Sequence, residues 1–212
     1  MKRRRLLGLS CLTLLLAFPV AVRADQPASA AAADPDLPRI EAYLNSLRSL
    51  TARFVQVAPN GSIAEGSAWL ERPGRMRFQY DPPSPLLLVA GHGLVVFHDS
   101  SINQTSNIPI GQTPLGILLA DHVQLSGDIR VLALSHRPGE IDLTVDRAAS
   151  PGDGNLTLVF QDQPLALRAW IVTDAQRQQT RVTLTDVHPG GHFASSLFEF
   201  IDPRLYQNGG GG

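Results

Sequence analysis

Cysteine is almost absent from this 212-residue sequence, and the single example, Cys11, lies near the N-terminus. The segment around it has a basic start at Lys2–Arg5, an apolar run from Leu6 to Val22, and a small residue at Ala24. This pattern is typical of a secretory signal peptide, and we predict cleavage after Ala24. The mature chain would then contain no cysteine, which excludes disulfides, thiol catalysis and cysteine metal sites.

A long uninterrupted apolar run is also missing. The run at the N-terminus contains Ser10, Thr13 and Pro19 and falls short of the roughly 20 apolar residues that span a bilayer. A transmembrane anchor is therefore the less favoured alternative to a signal peptide covering residues 1–24. Lipidation of Cys11 is also disfavoured, because the stretch before it, Leu6–Ser10, has only five residues.

Basic residues are too few for a protein that binds nucleic acid. Residues 1–24 carry five of the 18 basic residues and none of the 19 acidic ones. Residues 25–212 therefore have 13 basic against 19 acidic residues, a net charge of −6. Binding to phosphate backbones needs an excess of clustered Lys and Arg, so nucleic acid is not expected as a partner.

Recognisable catalytic motifs are missing too. There is no Gly-x-Ser-x-Gly elbow, no His-Glu-x-x-His helix, no phosphate loop and no dinucleotide fingerprint, so we predict neither an enzyme nor a cofactor. His188 and His192 have the spacing of a metal pair, but they lack the further ligands that zinc requires, and no metal site is predicted. His92 and His98 are expected to make surface hydrogen bonds. No paired-carboxylate site can be argued from the scattered positions of Asp99, Asp128, Asp142 and Asp146.

What the sequence does contain is one helical pattern followed by many short strands. After a flexible leader at residues 25–36, Asp36 is a candidate helix cap. Ile40, Leu44, Leu47 and Leu50 then recur at spacings of four and three, which predicts a helix of roughly four turns. From Thr51 onward the period is two, and Gly, Pro, Asn and Asp separate the runs, which predicts an antiparallel meander. The alternating apolar positions are Phe54, Met76, Phe78, Tyr80, Ile141, Leu143, Val145, Leu156, Leu158, Phe160, Val182 and Leu184.

Two stretches are apolar on both faces: Leu86–Val89, and Leu165–Leu167 with Trp170–Val172. Both sides of such strands must be covered, and a strongly curved sheet wrapped around a helix or a ligand would cover them. A second, short helix is predicted from Pro114 to Asp121, with Thr113 as its cap. It is apolar enough either to pack into the mouth of the curved sheet or to close it.

Several motifs occur in a fixed order along the chain. They are the helix leading to Phe54-x-Gln56, the turn Trp69-x-x-Arg72-Pro73-Gly74, Tyr80-Asp81-Pro82-Pro83 before a Leu-rich strand, Thr113-Pro114-Leu115, and Leu197–Phe200. In this order and spacing the sequence resembles the LolA family, the periplasmic outer-membrane lipoprotein carriers. The resemblance covers about residues 38–203.

The resemblance implies a mainly β fold: an unclosed, strongly curved antiparallel β half-barrel with an N-terminal helix and short lid helices over the concave face. In such carriers the arginine of the Arg-Pro turn hydrogen-bonds to the lid backbone and keeps the cavity shut, and here that residue is Arg72. Solvation of a strand end is the alternative role for Arg72. For the candidate wall and lid residues, ordinary core packing is an equal alternative. These residues are Trp69, Phe78, Leu88, Leu115, Leu118, Leu158, Phe160 and Leu167.

The resemblance also implies a function. A carrier of this family would bind the acyl chains of lipoproteins released from the inner membrane and deliver them to the outer membrane. Its partners would be lipoproteins, the inner-membrane ATP-driven lipoprotein release complex and an outer-membrane receptor lipoprotein. The alternatives are a carrier of free lipid or glycolipid with the same fold, and a periplasmic hydrolase. We expect one domain over residues 37–206, a flexible tail at residues 207–212, and a monomer.

Overall fold

The computed structural model describes residues 34–201, so the predicted signal peptide, most of the predicted leader and the predicted tail lie outside them. Within this range the chain has two α-helices, α1 (Asp36–Ser46) and α2 (Leu115–Leu118), and eleven strands. Neither helix is long and apolar enough to cross a membrane. The strands are β1 (Ser49–Val57), β2 (Ile63–Glu71), β3 (Arg75–Tyr80), β4 (Leu86–Gly91), β5 (Leu94–Asp99), β6 (Gln104–Pro109), β7 (Ile129–Arg137), β8 (Glu140–Arg147), β9 (Asn155–Gln161), β10 (Ala166–Thr173) and β11 (Gln179–Pro189).

All eleven strands belong to one antiparallel sheet with the order β6-β5-β4-β3-β2-β1-β11-β10-β9-β8-β7. Consecutive strands are neighbours at every step but one, the step from β6 to β7. The first and last strands, β1 and β11, pair in the middle of the sheet, whereas β6 and β7 lie at opposite edges. The sheet is therefore not closed, and both the predicted meander and the predicted unclosed half-barrel are confirmed.

Helix α1 ends earlier than the leucine spacing predicted. It stops at Ser46, and the N–H of Leu47 donates to the carbonyl of Tyr43 at 3.1 Å. Leu50 lies in β1, where Leu50, Ala52 and Phe54 are all buried on one face. The prediction was wrong because Leu50 fits both the helical spacing of three from Leu47 and the strand spacing of two to Ala52, and burial alone does not separate the two patterns.

The start of α1 also differs from the prediction. Asp36 lies in the first turn of the helix and is not its cap. Its N–H donates instead to the side chain of Asp34 at 2.9 Å. Asp36 Oδ2 lies 2.9 Å from Nε2 of His136, a residue of β7. These contacts attach the first turn of the helix to the edge of the sheet.

The strand alternation is confirmed. In β3, Met76, Phe78 and Tyr80 are buried, while Arg75, Arg77 and Gln79 are not. The apolar positions predicted in β8, β9 and β11 are buried in the same way. We refer to the buried, concave face of the sheet as the inward face, and to the opposite face as the outward face.

The doubly apolar strand β4 is covered on its outward face by the C-terminal segment. The outward residue Val89 is 1 % exposed. The 3₁₀-helix Ser195–Phe198 packs over β3 and β4, and the ring of Phe200 lies 5.1 Å from that of His98 on β5. The predicted double coverage is therefore provided partly by the chain's own C-terminal segment.

The second doubly apolar stretch has a different cause. The pairing of β10 with β9 shifts register between Leu167 and Ala169. This bulge places Leu167, opposite Phe160, and Trp170, opposite Leu158, on the same inward face. A regular strand would have put these two residues on opposite faces.

Candidate functional site: a covered apolar trough

The inward face of the curved sheet forms an apolar trough. Phe78, Leu158, Phe160 and Leu167 line it, each at most 3 % exposed. The rings of Phe78 on β3 and Trp170 on β10 meet edge to face with 5.9 Å between their centroids. Side chains from the two halves of the sheet therefore meet across the trough. Trp170 was not among the predicted wall residues, because its inward position depends on the bulge in β10.

Two other predicted wall residues differ in position. Leu88 pairs with Phe78, so it faces inward, and it is half-buried against the core. Trp69 does not line the trough. Its neighbours Ala68 and Leu70 are buried on the inward face of β2, and Trp69 lies half-buried on the outward face opposite Arg77. The motif located the strand correctly, but the prediction of its facing was off by one residue.

The segment that links β6 to β7 crosses over the trough. We call residues 110–125 the cover; it consists of the 3₁₀-helix Ile110–Gln112, helix α2 and the loop that follows. Helix α2 has four residues, fewer than predicted, and the N–H of Gly116 donates to Oγ1 of Thr113 at 3.3 Å. The cover directs its apolar side chains into the core, and each is at most 9 % exposed: Leu115, Ile117, Leu118, Leu119, Val123 and Leu125.

Arg72 holds the cover against α1. Its Nε donates to the carbonyl of Ala120 at 2.6 Å, and Nη2 donates to that of Asp121 at 3.3 Å. Nη1 donates to the carbonyl of Leu44 at the end of α1. Arg72 is 4 % exposed, so it does not merely solvate a strand end. The guanidinium of Arg72 therefore contacts both the N-terminal helix α1 and the cover.

The charge of Arg72 is held mainly by neutral carbonyl groups. Burial lowers the pKa of Arg72, the nearby Arg48 charge lowers it further, and Asp121 opposes both effects. Arginine nevertheless stays protonated in proteins. Burying this charge costs hydration free energy, and displacing the cover would restore the hydration of the guanidinium. That gain would offset part of the loss of the hydrogen bonds.

Polar side chains of α1 make further ties to the cover, and the sequence motifs gave no sign of them. Asn45 donates to the carbonyl of Val123 at 2.8 Å and accepts from its N–H at 2.9 Å. The carboxylate of Glu41 accepts from the N–H of Leu125 at 2.7 Å. Each pair is about 80 residues apart in sequence, so no local pattern could have predicted the contact.

The trough is filled by the chain's own side chains. Ile117, Leu118 and Leu119 of the cover and Phe160 of the wall are at most 2 % exposed. The larger concavities lie elsewhere, such as one of about 780 Å³ between residues 57–61 and residues 177–179. A ligand can therefore occupy the trough only if the cover moves out of it.

The structure does not bring the predicted histidines and carboxylates into one site. His92 is exposed in the β4–β5 turn, whereas His98 is buried beside Thr105, with 3.0 Å between Nδ1 and Oγ1. The prediction that His98 makes surface hydrogen bonds was therefore wrong. Asp142 and Asp146 pair with different arginines, Arg137 and Arg130. His188 and His192 are both exposed.

Three potential metal ligands come together elsewhere, at Asp34, Asp36 and His136. Asp34 already accepts the N–H of Asp36, and Asp36 also pairs with Arg39. We interpret this group as the attachment of α1 to β7. His136 and Asp36 are 100 residues apart in sequence, so no spacing pattern indicated that they meet.

Taken together, the fold and the site define a class of protein: an unclosed half-barrel whose apolar inward face lies under a cover tied by polar contacts. The family model described as outer membrane lipoprotein carrier protein LolA matches residues 45–201. The chain belongs to this family.

Similar proteins have been named or solved in several bacteria. The outer-membrane lipoprotein carrier protein of Leptothrix cholodnii is 28% identical over 214 residues, covering 95% of this chain and 94% of that protein. An uncharacterized protein of Rickettsia prowazekii is 21% identical over 164 residues, covering 77% of this chain and 76% of that protein. The crystal structure of a LolA superfamily protein from Nitrosomonas europaea aligns with a TM-score of 0.41 at 10% identity, covering 77% of this chain and 97% of that chain.

Proposed function

We propose that this protein is a periplasmic carrier that binds the acyl chains of lipoproteins released from the inner membrane and delivers them to the outer membrane. The observation that carries the proposal is an apolar trough occupied by the leucines of a cover, and we propose that acyl chains replace these leucines. Family membership supports it, and the predicted signal peptide agrees with a periplasmic location. The proposed partners are the inner-membrane ATP-driven release complex and an outer-membrane receptor lipoprotein.

The energetics of acyl transfer explain why such a cover is useful. Each buried methylene gains about 0.8 kcal/mol, so a lipidated polypeptide does not leave a membrane for water unaided. The trough supplies comparable burial. A carrier must also release its cargo, and a cover that competes for the same apolar surface weakens the grip by the free energy gained when it closes.

The inward residues favour a binding role over a hydrolase. Within residues 34–201 the inward positions of β3 and β9 are apolar or aromatic and buried: Met76, Phe78, Tyr80, Leu156, Leu158 and Phe160. Tyr80 has a hydroxyl group, and this group donates to Oε1 of Gln56 at 2.8 Å. A hydrolase would need polar groups converging in the trough. We accordingly propose that the protein is not an enzyme and needs no cofactor.

Loading and transfer of a fluorescent triacylated lipopeptide test this function. We expect the mature protein to take up the lipopeptide and pass it to phosphatidylethanolamine–phosphatidylglycerol vesicles. The variant Arg72→Leu should load at least as well but transfer about tenfold more slowly, because the cover no longer competes for the trough. Arg53→Leu removes the same charge on the outward face, where Arg53 pairs with Asp81, and should behave as the parent.

Two results would contradict the proposal. Equal transfer rates for the parent and Arg72→Leu would remove the gating role of Arg72. If the parent does not bind the lipopeptide, and mass spectrometry of protein purified from the periplasm shows only loose phospholipid, the function is that of a free-lipid carrier. Thermal unfolding of each variant, with Arg72→Lys as a milder substitution, verifies that the compared proteins are folded.

A further inference from the structure

A charged residue continues the apolar inward row of β8. Ile141, Leu143 and Val145 are at most 1 % exposed and face the trough. Arg147 follows at the same spacing of two residues, at the end of the strand, opposite the buried Ile129 of β7. Because side chains alternate along a strand, Arg147 also points inward. Its guanidinium therefore lies at the rim of the trough, where an apolar side chain would be expected.

This guanidinium is poorly satisfied. Among residues 34–201, Nε of Arg147 is buried and finds no hydrogen-bond partner. The ion pairs found within residues 34–201 do not include Arg147, although the adjacent Asp146 pairs with Arg130 at 2.5 Å. Asp153 lines the same cavity of about 10 Å³ as Arg147, yet the two form no ion pair. A buried donor without an acceptor is rare in native proteins and calls for an explanation.

The cover lies directly on this guanidinium. A Cβ atom added at Gly116 of α2 would come within 2.7 Å of Nη2 of Arg147 and within 2.3 Å of the carbonyl oxygen of Ile110. The carbonyl of Ile110 is fixed backbone and requires glycine at this position, whereas the flexible end of Arg147 could shift. When the cover moves away, Arg147 loses this neighbour and its donors face the opened rim.

We propose that Arg147 is a binding residue for the head of the cargo, and that it donates hydrogen bonds to the oxygen acceptors that join the acyl chains. The inference rests on the proposed carrier function. The apolar wall of the trough buries the methylene groups of an acyl chain, but its aliphatic and phenyl side chains have no hydrogen-bond donors for the carbonyl or phosphate oxygens of the cargo. These oxygens need donors when they leave water. A guanidinium presents several N–H donors in a planar fork that suits such oxygens.

Two sources could supply this chemistry: the ester and amide carbonyls of a lipidated cysteine, and the phosphate of a phospholipid. The competing explanation is that Arg147 only supports the cover. A supporting role would change the binding of every apolar ligand equally. A head-binding role changes only the binding of ligands that have an oxygen-containing head, so the two explanations predict different results.

The test compares three probes on the full mature chain: a triacylated lipopeptide, phosphatidylglycerol, and a fluorescent hydrocarbon of similar chain length without oxygen atoms. We expect Arg147→Met to weaken binding of an oxygen-headed probe by about tenfold and to leave hydrocarbon binding within about twofold. Both headed probes carry acyl ester carbonyls, so equal losses identify these carbonyls. A larger loss for phosphatidylglycerol identifies its phosphate, and a larger loss for the lipopeptide identifies its amide carbonyls. Arg168→Met is the matched control, because Arg168 is exposed and bonds to Gln161.

An equal change for headed and headless probes, or no change for either, would overturn the role of Arg147 while leaving the carrier function intact. Failure of the parent to bind any of the probes would instead overturn the carrier function, and the inference with it. Arg147→Gln, which keeps a polar side chain, should change binding in the same direction as Arg147→Met. It provides the comparison if Arg147→Met does not fold.

Discussion

Tyr80 is an inward residue with a polar group, placed where β3 meets the core. It is 4 % exposed, and its ring packs edge to face on Phe54 with 5.2 Å between centroids. Its hydroxyl donates to Oε1 of Gln56 at 2.8 Å. Burial raises the pKa of Tyr80 to about 12, and the hydrogen bond to Gln56 opposes the shift. The folded chain thus binds this proton more tightly than the unfolded chain does.

This difference predicts a loss of stability in alkali. Because the folded pKa is raised, the contribution is fully present below the ordinary tyrosine pKa of about 10 and is lost as the pH rises through about 12. The full shift corresponds to about 3 kcal/mol in the free energy of unfolding. Urea denaturation at about pH 8 and about pH 11 should show part of this loss in the parent and not in Tyr80→Phe. Equal losses in both proteins would contradict the assignment to Tyr80.

At the scale of elements, Asn45 joins α1 to the cover. Its side-chain amide forms a matched pair of hydrogen bonds with the backbone of Val123, which is fully buried. Removing the amide leaves both backbone groups of Val123 without partners, at a cost of about 1–3 kcal/mol. The cover should therefore open more often while the sheet stays intact.

Amide hydrogen exchange checks this expectation. In Asn45→Ala, exchange at Val123 and its neighbours in the cover should be about tenfold faster or more, and exchange in the central strands should be unchanged. Ser46→Ala is the matched control on the same helix, because its hydroxyl bonds only to the carbonyl of Tyr43 at 2.7 Å. Uniform acceleration across the sheet would mean that Asn45 stabilises the whole fold and not the cover.

The elements differ in how far the sequence predicts them. Strand alternation in β3 and β8 was readable because one face is buried and the period of two repeats. The end of α1 was not readable, since Leu50 fits both the helical spacing from Leu47 and the period of two in β1. The inward position of Trp170 depends on a bulge, and the facing of Trp69 was wrong by one residue. Local periodicity does not encode either register or bulges.

In the site too, features marked by local sequence were predictable, and features that depend on long-range contacts were not. The position of Arg72 was predictable because a contiguous motif, Arg-Pro-Gly, marks a turn. Its partners, such as Ala120, are 48 residues away and came only from the family resemblance. Asn45, Glu41 and Arg147 carried no local signal at all. Their roles depend on the cover, which connects the two edge strands of the unclosed sheet and lies over its inward face.

At the scale of the whole molecule, the two faces of the sheet are covered in different ways. The outward face of β4 is covered by the C-terminal segment, where Arg77 donates to the carbonyl of Leu197 at 3.2 Å. The inward face is covered by the segment that joins the edge strands β6 and β7, and its ties are polar groups. Under the proposed function, the inward cover is the one that exchanges with cargo, while the outward cover stays in place.

An exchange between cover and cargo makes affinity depend on acyl chain length in a defined way. Moving the cover costs a fixed free energy, whatever the cargo. Each added methylene contributes up to about 0.8 kcal/mol, or about fourfold in affinity, until the chain outgrows the trough. Lipopeptides with acyl chains of about 8, 12 and 16 carbons should therefore bind progressively more tightly and then level off.

Leu118→Ala provides the control within the cover. Leu118 is 1 % exposed, so truncating it reduces the apolar area that the cover buries in the trough and weakens the competition with cargo. Affinity should rise by the same factor at every chain length, because the fixed cost falls while the gain per methylene is set by the wall. An affinity independent of chain length would place the cargo outside the trough. A change in the slope for Leu118→Ala would mean that the cover contacts the bound chain and is not displaced by it.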